Sequence, residues 1–378
     1  MAGLYQLRLK EPNGDLSAII DDYRDMSFDK IVNEIGSFVV LMNGYDPKTS
    51  LFELDSQVEV YRRDVTYGID WYLEWEGFVR DFTFAFSAEG DYTFTANAVS
   101  YTHLLKRHIV AYQAGLSQTI KSDYGEVVMK EFVSENCGAD ALLANDRIRD
   151  GNFTGFSVEA AGTDGLVWQG QRSYVNVLEV VQEVAKASGV DFNVVGVGDG
   201  LFEFRTYFPY LGVDRSNTGV DVTTGLNSSG NPPVIFNPVL GNCTDIVYTK
   251  SRKDEVTVAM VAGQGQGEGR VVAITLSAAT SDSPLNDIEM YGDARNTEDD
   301  DDLLSQGAAM LAEKQMGETF TFVPIQTGAY AYGLNYYHGD LVTGQFLTLG
   351  SVDKRIYRVS IAVGADGERI ELELGDVV

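Results

Sequence analysis

Side chains that titrate near neutral pH are scarce in this chain of 378 residues. It has three histidines, His103, His108 and His338, and none can be paired with a serine from the sequence. Enzymes commonly use such groups as general acids or bases. No Gly-x-Ser-x-Gly motif is present, so no serine nucleophile is indicated. The sequence therefore predicts a protein that is not an enzyme, with no catalytic residue and no cofactor to assign.

Cysteines and long apolar segments are also few. Cys137 and Cys243 are too few and too far apart in sequence for a disulfide scaffold or a zinc site, so no metal ligand is assigned and a reducing compartment fits. No run of about 18 apolar residues occurs, which predicts no membrane span. The N-terminus lacks a basic segment followed by an apolar one, so no signal peptide is expected.

Basic residues are half as numerous as acidic ones. Lys and Arg total 28 against 56 Asp and Glu, for a formal net charge of −28. Nucleic-acid binding depends on cations that neutralise phosphates, so sequence-specific binding of nucleic acid is not expected. Two interpretations of the charge remain open. It can serve solubility, or it can form an acidic surface along which DNA slides without sticking.

What the chain has in abundance is β-sheet sequence, with 39 glycines, 20 tyrosines and 19 phenylalanines. Alternating segments separated by turns predict a sandwich or small barrel over residues 1–103. In Gln57–Arg62, Val58, Val60 and Arg62 share one face. Phe82, Phe84 and Phe86 share one side of another strand. Both core packing and a subunit contact are open for these phenylalanines, and core packing is favoured.

The middle of the chain, residues 104–240, has a mixed pattern. Helices are predicted at Tyr124–Asn136 and at Tyr174–Ser188, the second capped by Ser173 and ended by Gly189. Residues 213–240 are predicted to be a loop or linker because they are rich in Pro, Gly and Asn. A basic cluster, Lys106, Arg107 and His108, begins this segment.

The last part, residues 241–378, is again predicted to be β-rich, with one helix at about 297–316 capped by Thr297. Strands include Leu341–Leu349 and a final hairpin around Ala365-Asp366-Gly367. The acidic run Glu298–Asp302 lacks the alternation of a calcium loop and favours a helix start. Taken together, the patterns of the three segments predict a mainly β fold with an α+β insertion.

Several local motifs have structural interpretations that are at least as good as functional ones. The glycine-rich segment 263–270 does not fit a dinucleotide or phosphate loop and favours a connection between two strands. Glu74 and Glu76 share one strand face and are expected on a solvated surface. The loop with Tyr330, Tyr332, Tyr336, Tyr337 and His338 favours either a binding surface or packing against its own barrel.

Seven segments together resemble a known family. They are VEVYRR (58–63), WEGFVRD (75–81), LLKRHIVAY (104–112), VLEVVQEVAKASGVDF (177–192), LFEFRTY (201–207), LGVDRS (211–216) and VAGQGQGEGR (261–270). In this order they resemble the baseplate hub, or tail-associated (minor tail), proteins of long-tailed phages and prophages. The resemblance extends from about residue 3 to the C-terminus.

The resemblance implies a structural virion protein. It implies two related β-barrel-like hub domains, at 1–103 and 241–378, around an inserted mixed domain at 104–240. Three copies would form a trimeric ring with pseudo-six-fold barrels that lines the DNA exit path. The implied partners are the distal tail protein or tail tube above, and receptor-binding, fibre and tape-measure proteins. The implied location is the virion tail, after assembly in the host cytoplasm.

Two alternatives stay open. The aromatic strands and the tyrosine loop are compatible with a carbohydrate-binding or adhesion module of a tail. The abundant carboxylates are compatible with a hydrolase that uses a carboxylate pair. Size-exclusion chromatography with light scattering distinguishes the hub from both alternatives, because only the hub is expected to form a trimer.

Overall fold

The computed structural model describes residues 4–111, 118–145, 147, 149–295, 300–345 and 350–375. The first part of the chain folds into strands, namely β1 (Leu4–Lys10), β2 (Leu16–Ile20), β3 (Asp25–Ile31), β4 (Ser37–Asn43), β5 (Gln57–Asp64), β6 (Ile69–Phe86) and β7 (Tyr92–Ser100). The middle mixes helices with short strands, namely α1 (His103–Lys106), β8 (Thr119–Tyr124), α2 (Gly125–Asn136), β9 (Phe156–Val158), β10 (Val167–Arg172), α3 (Val177–Ser188), β11 (Asp191–Gly198), β12 (Leu201–Tyr207), β13 (Asp214–Arg215) and β14 (Ile235–Phe236).

The last part returns to β structure with one helix. Its elements are β15 (Cys243–Ser251), β16 (Val258–Ala262), β17 (Val272–Leu276), β18 (Glu289–Asp293), α4 (Asp300–Glu313), β19 (Gly317–Pro324), β20 (Leu341–Gln345), β21 (Ser351–Gly364) and β22 (Gly367–Gly375). The predicted fold class, mainly β with a mixed α+β segment between two β-rich ends, is confirmed.

One large sheet contains strands from both ends of the chain. Among the described residues its main path runs β15-β19-β22-β21-β3-β4-β7-β6-β5-β1-β2, and β20 extends it beside β21 together with β13 and β14. The two ends meet where β21 pairs antiparallel with β3, with Ile361 opposite Phe28. The middle segment adds a two-stranded and a three-stranded sheet, and β16, β17 and β18 form a third small sheet.

The hydrophobic core follows the same organisation. The main cluster contains fully buried residues from both ends, such as Leu7, Val60 and Leu372. A second cluster lies under α2 and α3, and a small third one lies between α4 and the sheet of β16 and β17. In β5 the predicted alternation is confirmed, since Val58, Val60 and Arg62 all face inward and are buried.

Two features differ from the prediction, the start of α3 and the structure of residues 213–240. The α3 helix begins at Val177 with Asn176 as its N-cap, because the Asn176 side chain accepts from Leu178 N–H at 3.0 Å. Ser173 is therefore not the cap, while Gly189 ends the helix as predicted, with φ of 72°. The segment 213–240 is not wholly a loop, because β13 and β14 within it pair with β20.

Two further predictions fall partly outside the described residues. The predicted helix at about 297–316 is present as α4, and it ends at Glu313 rather than Met316. Its predicted cap, Thr297, lies outside the described residues, as do Glu298 and Asp299. The strand predicted at Leu341–Leu349 is present as β20 up to Gln345, and its remainder also lies outside them.

Candidate functional site

The β6 strand continues well beyond its neighbour on one side. From Ile69 to Phe78 it pairs with β5, whereas its second half pairs only with β7 among the described residues. All seven residues from 80 to 86 are exposed. An unpaired strand edge offers free N–H and C=O groups to another chain. We call residues 80–94, the second half of β6 with its return into β7, the aromatic hairpin.

The aromatic hairpin carries a ridge of exposed rings. Phe82, Phe84 and Phe86 are 37%, 43% and 66% exposed. Phe84 contacts Tyr92 and Phe94, and Phe86 contacts Tyr92. The favoured prediction of core packing is therefore wrong for Phe86, because the strand extends past the core. Phe82 and Phe84 each place one side of the ring on the buried Phe94 and leave the rest exposed. Contiguous exposed aromatic surface is typical of protein interaction sites.

The large sheet has a second free edge at β15, the first strand of the path that leads to β7 and β6. The β15 strand pairs with β19 and, within the described part of the chain, with no strand on its other side. Seven successive antiparallel pairings connect β15 to the aromatic hairpin. Since each pairing reverses direction, β15 runs opposite to β6. The two edges are therefore complementary in direction for an antiparallel pair.

A buried arginine connects the two β-rich ends. Arg62 on β5 is fully buried, and its guanidinium donates to Glu368 Oε1 at 2.7 Å and Oε2 at 3.1 Å. It also donates to the Tyr332 carbonyl at 3.0 Å and to Tyr5 Oη at 3.1 Å. Burial opposes the charge, but the bonds to Glu368 outweigh it and raise the pKa of Arg62. The sequence signal for this cluster was that Arg62 shares one strand face with the apolar Val58 and Val60.

A second buried ion pair connects the middle segment to the large sheet. Asp191, the first residue of β11, forms a two-point ion pair with the Arg355 guanidinium on β21. It also accepts from Leu211 N–H at 2.7 Å and from Asn33 Nδ2 at 2.8 Å. Four donors thus converge on one carboxylate. Sequence analysis assigned neither partner, because nothing local distinguishes them.

A crevice of about 270 Å³ lies between the β-rich part and the middle segment. It is lined by Lys30, Glu74, Glu76, Asn193 and His338, among others. Glu74 is buried and accepts from Lys30 Nζ at 2.6 Å and from the Tyr332 hydroxyl at 2.7 Å. The expectation of a solvated surface is wrong for Glu74, because a bulge at Leu73–Trp75 lets it face the core.

Glu76 gives this crevice a pH-dependent contact. Its Oε1 accepts from Gly196 N–H on β11 at 2.9 Å. Burial raises the pKa of the Glu76 carboxyl to about 7, and the Gly196 bond offsets this only in part. The folded protein therefore holds this proton more tightly than the unfolded chain does. In linkage terms, the contribution of Glu76 to stability falls as pH rises from about 4.5 to about 7.

We expect Glu76→Gln to remove this loss, because the neutral amide keeps an acceptor for Gly196 without a buried charge. Its free energy of unfolding should exceed that of the wild type near pH 8 and converge with it at about pH 4 to 5. Urea denaturation at both pH values measures the difference. Glu89→Gln, in an exposed turn, is the control. A Glu76→Gln difference that is the same at both pH values would contradict the assignment.

The three histidines all have lowered pKa values. Burial lowers the pKa of His338 to about 3, and burial together with Arg107 lowers that of His103 to about 4. The pKa of His108 is lowered by burial and by Arg149. All three rings therefore stay neutral at physiological pH. His338 lies against the Tyr357 carbonyl at 3.1 Å, inside the protein.

The tyrosine loop folds inward. Tyr332 and Tyr336 are buried in the main core, and Tyr336 packs edge-on against Phe236. The interpretation of this loop as packing against its own sheet is therefore confirmed for these two residues, and Tyr337 is the more exposed member.

The glycine-rich segment connects β16 to β17, as predicted. Arg270 closes it with bonds to the Gly263 and Ala262 carbonyls at 2.9 Å and 3.0 Å.

Neither a metal-binding cluster nor a membrane-spanning helix occurs among the described residues. No group of three or more His, Cys, Asp or Glu side chains in these ranges is arranged to hold a metal. Within the same ranges, the helices are too short or too polar to cross a membrane.

Comparison with known proteins identifies the class. The model of the siphovirus ReqiPepy6 Gp37-like proteins matches residues 6–376. No curated protein sequence matches the chain significantly. The fold is similar to that of a tail protein from Neisseria meningitidis, with a TM-score of 0.55 and 11% identity, covering 100% of this chain and 97% of the other.

Two further solved structures have the same fold. The 43 kDa tail protein of prophage MuSo2 from Shewanella oneidensis gives a TM-score of 0.55 at 11% identity, with 99% and 98% of the two chains covered. Prophage tail protein gp18 from Listeria monocytogenes gives 0.54 at 12% identity, with 98% and 94% covered. The resemblance to tail proteins is thereby confirmed. Because the family model spans nearly the whole chain, this protein belongs to the siphovirus ReqiPepy6 Gp37-like family of phage tail proteins.

Proposed function

We propose that this tail protein is a baseplate or tail-tip hub subunit, which forms a homotrimeric ring and has no enzymatic role. The observation that carries the proposal is the pair of free edges, the aromatic hairpin and β15, on one antiparallel run of strands. A ring of identical subunits requires two different surfaces that meet around an axis. The aromatic hairpin of one copy and β15 of the next have opposite strand directions, as such a contact needs.

The domain organisation belongs to the same proposal. In it, residues 1–103 and 241–378 are the two hub domains, so that three subunits contribute six β units to a pseudo-six-fold ring. Residues 104–240 are the inserted domain. The distal tail protein or tail tube lies above the ring, and receptor-binding, fibre and tape-measure proteins are its further partners. The ring lines the DNA exit path, and the net charge of −28 supports a lumen from which DNA is weakly repelled.

A carbohydrate-binding module remains the alternative, and the exposed phenylalanines are the observation that favours it. The inward position of Tyr332 and Tyr336 counts against it. Size-exclusion chromatography with light scattering, followed by images of the particle along its axis, tests the choice. A trimer with six β units around a channel supports the hub. A monomer that binds glycans on an array overturns it.

Phe84→Asp is the sharpest variant for this test. We expect it to weaken self-association about tenfold or more, since a desolvated aromatic at the centre of a contact contributes most of its energy. The thermal midpoint should change little, because Phe84 is 43% exposed. Leu285→Asp, at a side chain that is 89% exposed elsewhere, is the matched control. Equal trimer formation by both variants would exclude the aromatic hairpin from the contact.

A further inference from the structure

A compact basic surface lies beside the aromatic hairpin. Arg80, the residue that begins the exposed half of β6, and Arg107 form ion pairs with the same carboxylate, Asp55. Both guanidinium groups also lie over the Phe78 ring, at 5.6 Å and 4.6 Å from its centroid. One carboxylate and one ring thus hold two guanidinium groups in place. Such fixed groups lose little side-chain entropy on binding a second anion.

Three more cations extend this surface. Lys106, at the end of α1, and Arg149 are exposed and have no ion-pair partner among the described residues. Arg147 lies near them, and its pKa is lowered by burial and by Arg149. We call Arg80, Lys106, Arg107, Arg147 and Arg149 the basic patch. It includes two members of the basic cluster seen in the sequence.

Three carboxylates lie near these cations. Asp55 is shared by Arg80 and Arg107, and Asp150, the residue after Arg149, accepts from Leu143 N–H at 2.8 Å. Glu135 forms an ion pair with Lys121. Burial and the charges of Arg107, Arg80 and Lys106 lower the pKa of His103. The five cations of the basic patch thus outnumber the carboxylates named beside them, within a chain of net charge −28.

We propose that the basic patch is an electrostatic contact for the acidic surface of a second copy of this chain. This inference rests on the proposed trimer and names a part of its interface. Charge complementarity carries it, since the patch is positive and the rest of the chain supplies an excess of carboxylates. Its position agrees, because Arg80 directly precedes the unpaired edge of β6. A polyanion such as DNA fits less well, because the chain as a whole repels it.

The test compares two double charge reversals in the full-length chain. Lys106→Glu with Arg149→Glu changes the basic patch, and Arg295→Glu with Lys314→Glu changes two cations of the small unit around β16–β18 and α4, with side chains 75% and 38% exposed. Both alter the net charge equally. Analytical ultracentrifugation at low and high salt measures trimer formation, and circular dichroism melting checks that each variant folds.

We expect the patch variant to associate at least about tenfold more weakly than the control variant at low salt. High salt should weaken the wild-type trimer and bring it closer to the patch variant, because screening acts on exposed charges. If both variants form trimers equally well, the inference is overturned while the proposed hub function stands. If the wild type forms no trimer at any salt, both are overturned.

Carbodiimide cross-linking provides a second, direct readout. This reagent joins an amine to a carboxylate in contact with it. In a mixture of ¹⁴N- and ¹⁵N-labelled protein, we expect mixed-isotope cross-links between Lys106 and an Asp or Glu of another copy. Cross-links of Lys106 confined to single chains would overturn the proposal. So would binding of inorganic polyphosphate or DNA that is lost in the patch variant while trimer formation is unchanged.

Discussion

Replacing Arg62 by alanine is expected to lower the free energy of unfolding by about 3–5 kcal/mol, because it leaves a buried carboxylate without its partner. Among the described residues, Glu368 would keep its bond from the Tyr5 hydroxyl alone, and the Tyr332 carbonyl would lose the Arg62 donor. The cost is large because the site lies in the main core, between strands from the two ends of the chain. Urea denaturation followed by tryptophan fluorescence measures it.

Arg63 is the matched control for this prediction. It is the next residue along β5, its side chain is 40% exposed, and its ion pair with Asp70 spans 3.9 Å. Arg63→Ala should cost no more than about 1 kcal/mol, as exposed pairs usually do. The double variant Arg62→Met with Glu368→Met should recover part of the loss, since it removes the Glu368 charge. The buried Asp64, whose ion pair with Arg62 spans 3.7 Å, would keep its bond from Thr66 N–H. A single Arg62→Ala variant as stable as Arg63→Ala would contradict this account.

Asp191→Ala is the second substitution with a large expected effect, also about 3–5 kcal/mol, since it strands the buried Arg355 guanidinium. It removes in addition the acceptor for Leu211 N–H and for Asn33. Asp191 joins β11 of the middle segment to β21 of the large sheet. The loss of stability should therefore be greatest where the middle segment attaches to that sheet. Urea denaturation gives the total, and hydrogen exchange shows where protection is lost.

The expected exchange pattern is specific. Amides of β11 and β12 should lose protection before those of β4 and β7, which pair with neither of these two strands. Asp199→Ala is the control, because Asp199 is exposed and pairs only with Lys10, at 3.2 Å. Uniform loss of protection, or an effect no larger than that of Asp199→Ala, would show that the pair does not hold the middle segment in place.

Local patterns predicted much of the architecture because each depends on neighbours in sequence. The alternation of Val58, Val60 and Arg62 placed β5 correctly, and apolar periodicity with Gly189 placed α3. The helix start was misassigned because Ser173 and Asn176 are both good caps, and only the extended backbone at Asn176 decides between them. Glu74 was misplaced because a bulge shifts the strand register, and a bulge leaves no clear mark in sequence.

Features that depend on distant pairing could not be predicted. The β3 strand was missed because Asp29 and Lys30 make it look polar. Asp29 is in fact held by the Arg358 guanidinium and by Ser37, and Lys30 by Glu74. The free sheet edges of the candidate interface could not be predicted either. A strand is an edge when no strand pairs with it on one side, and only the strand order of the folded sheet shows this.

The pairing of β3 with β21 has a consequence for biosynthesis. In synthesis β3 (Asp25–Ile31) leaves the ribosome long before β21 (Ser351–Gly364). Until β21 has been made, one side of β3 stays open to any other nascent chain, and contacts of such long sequence separation form slowly. Chaperone protection during synthesis therefore matters more for this polypeptide than for one whose neighbouring strands follow each other along the chain.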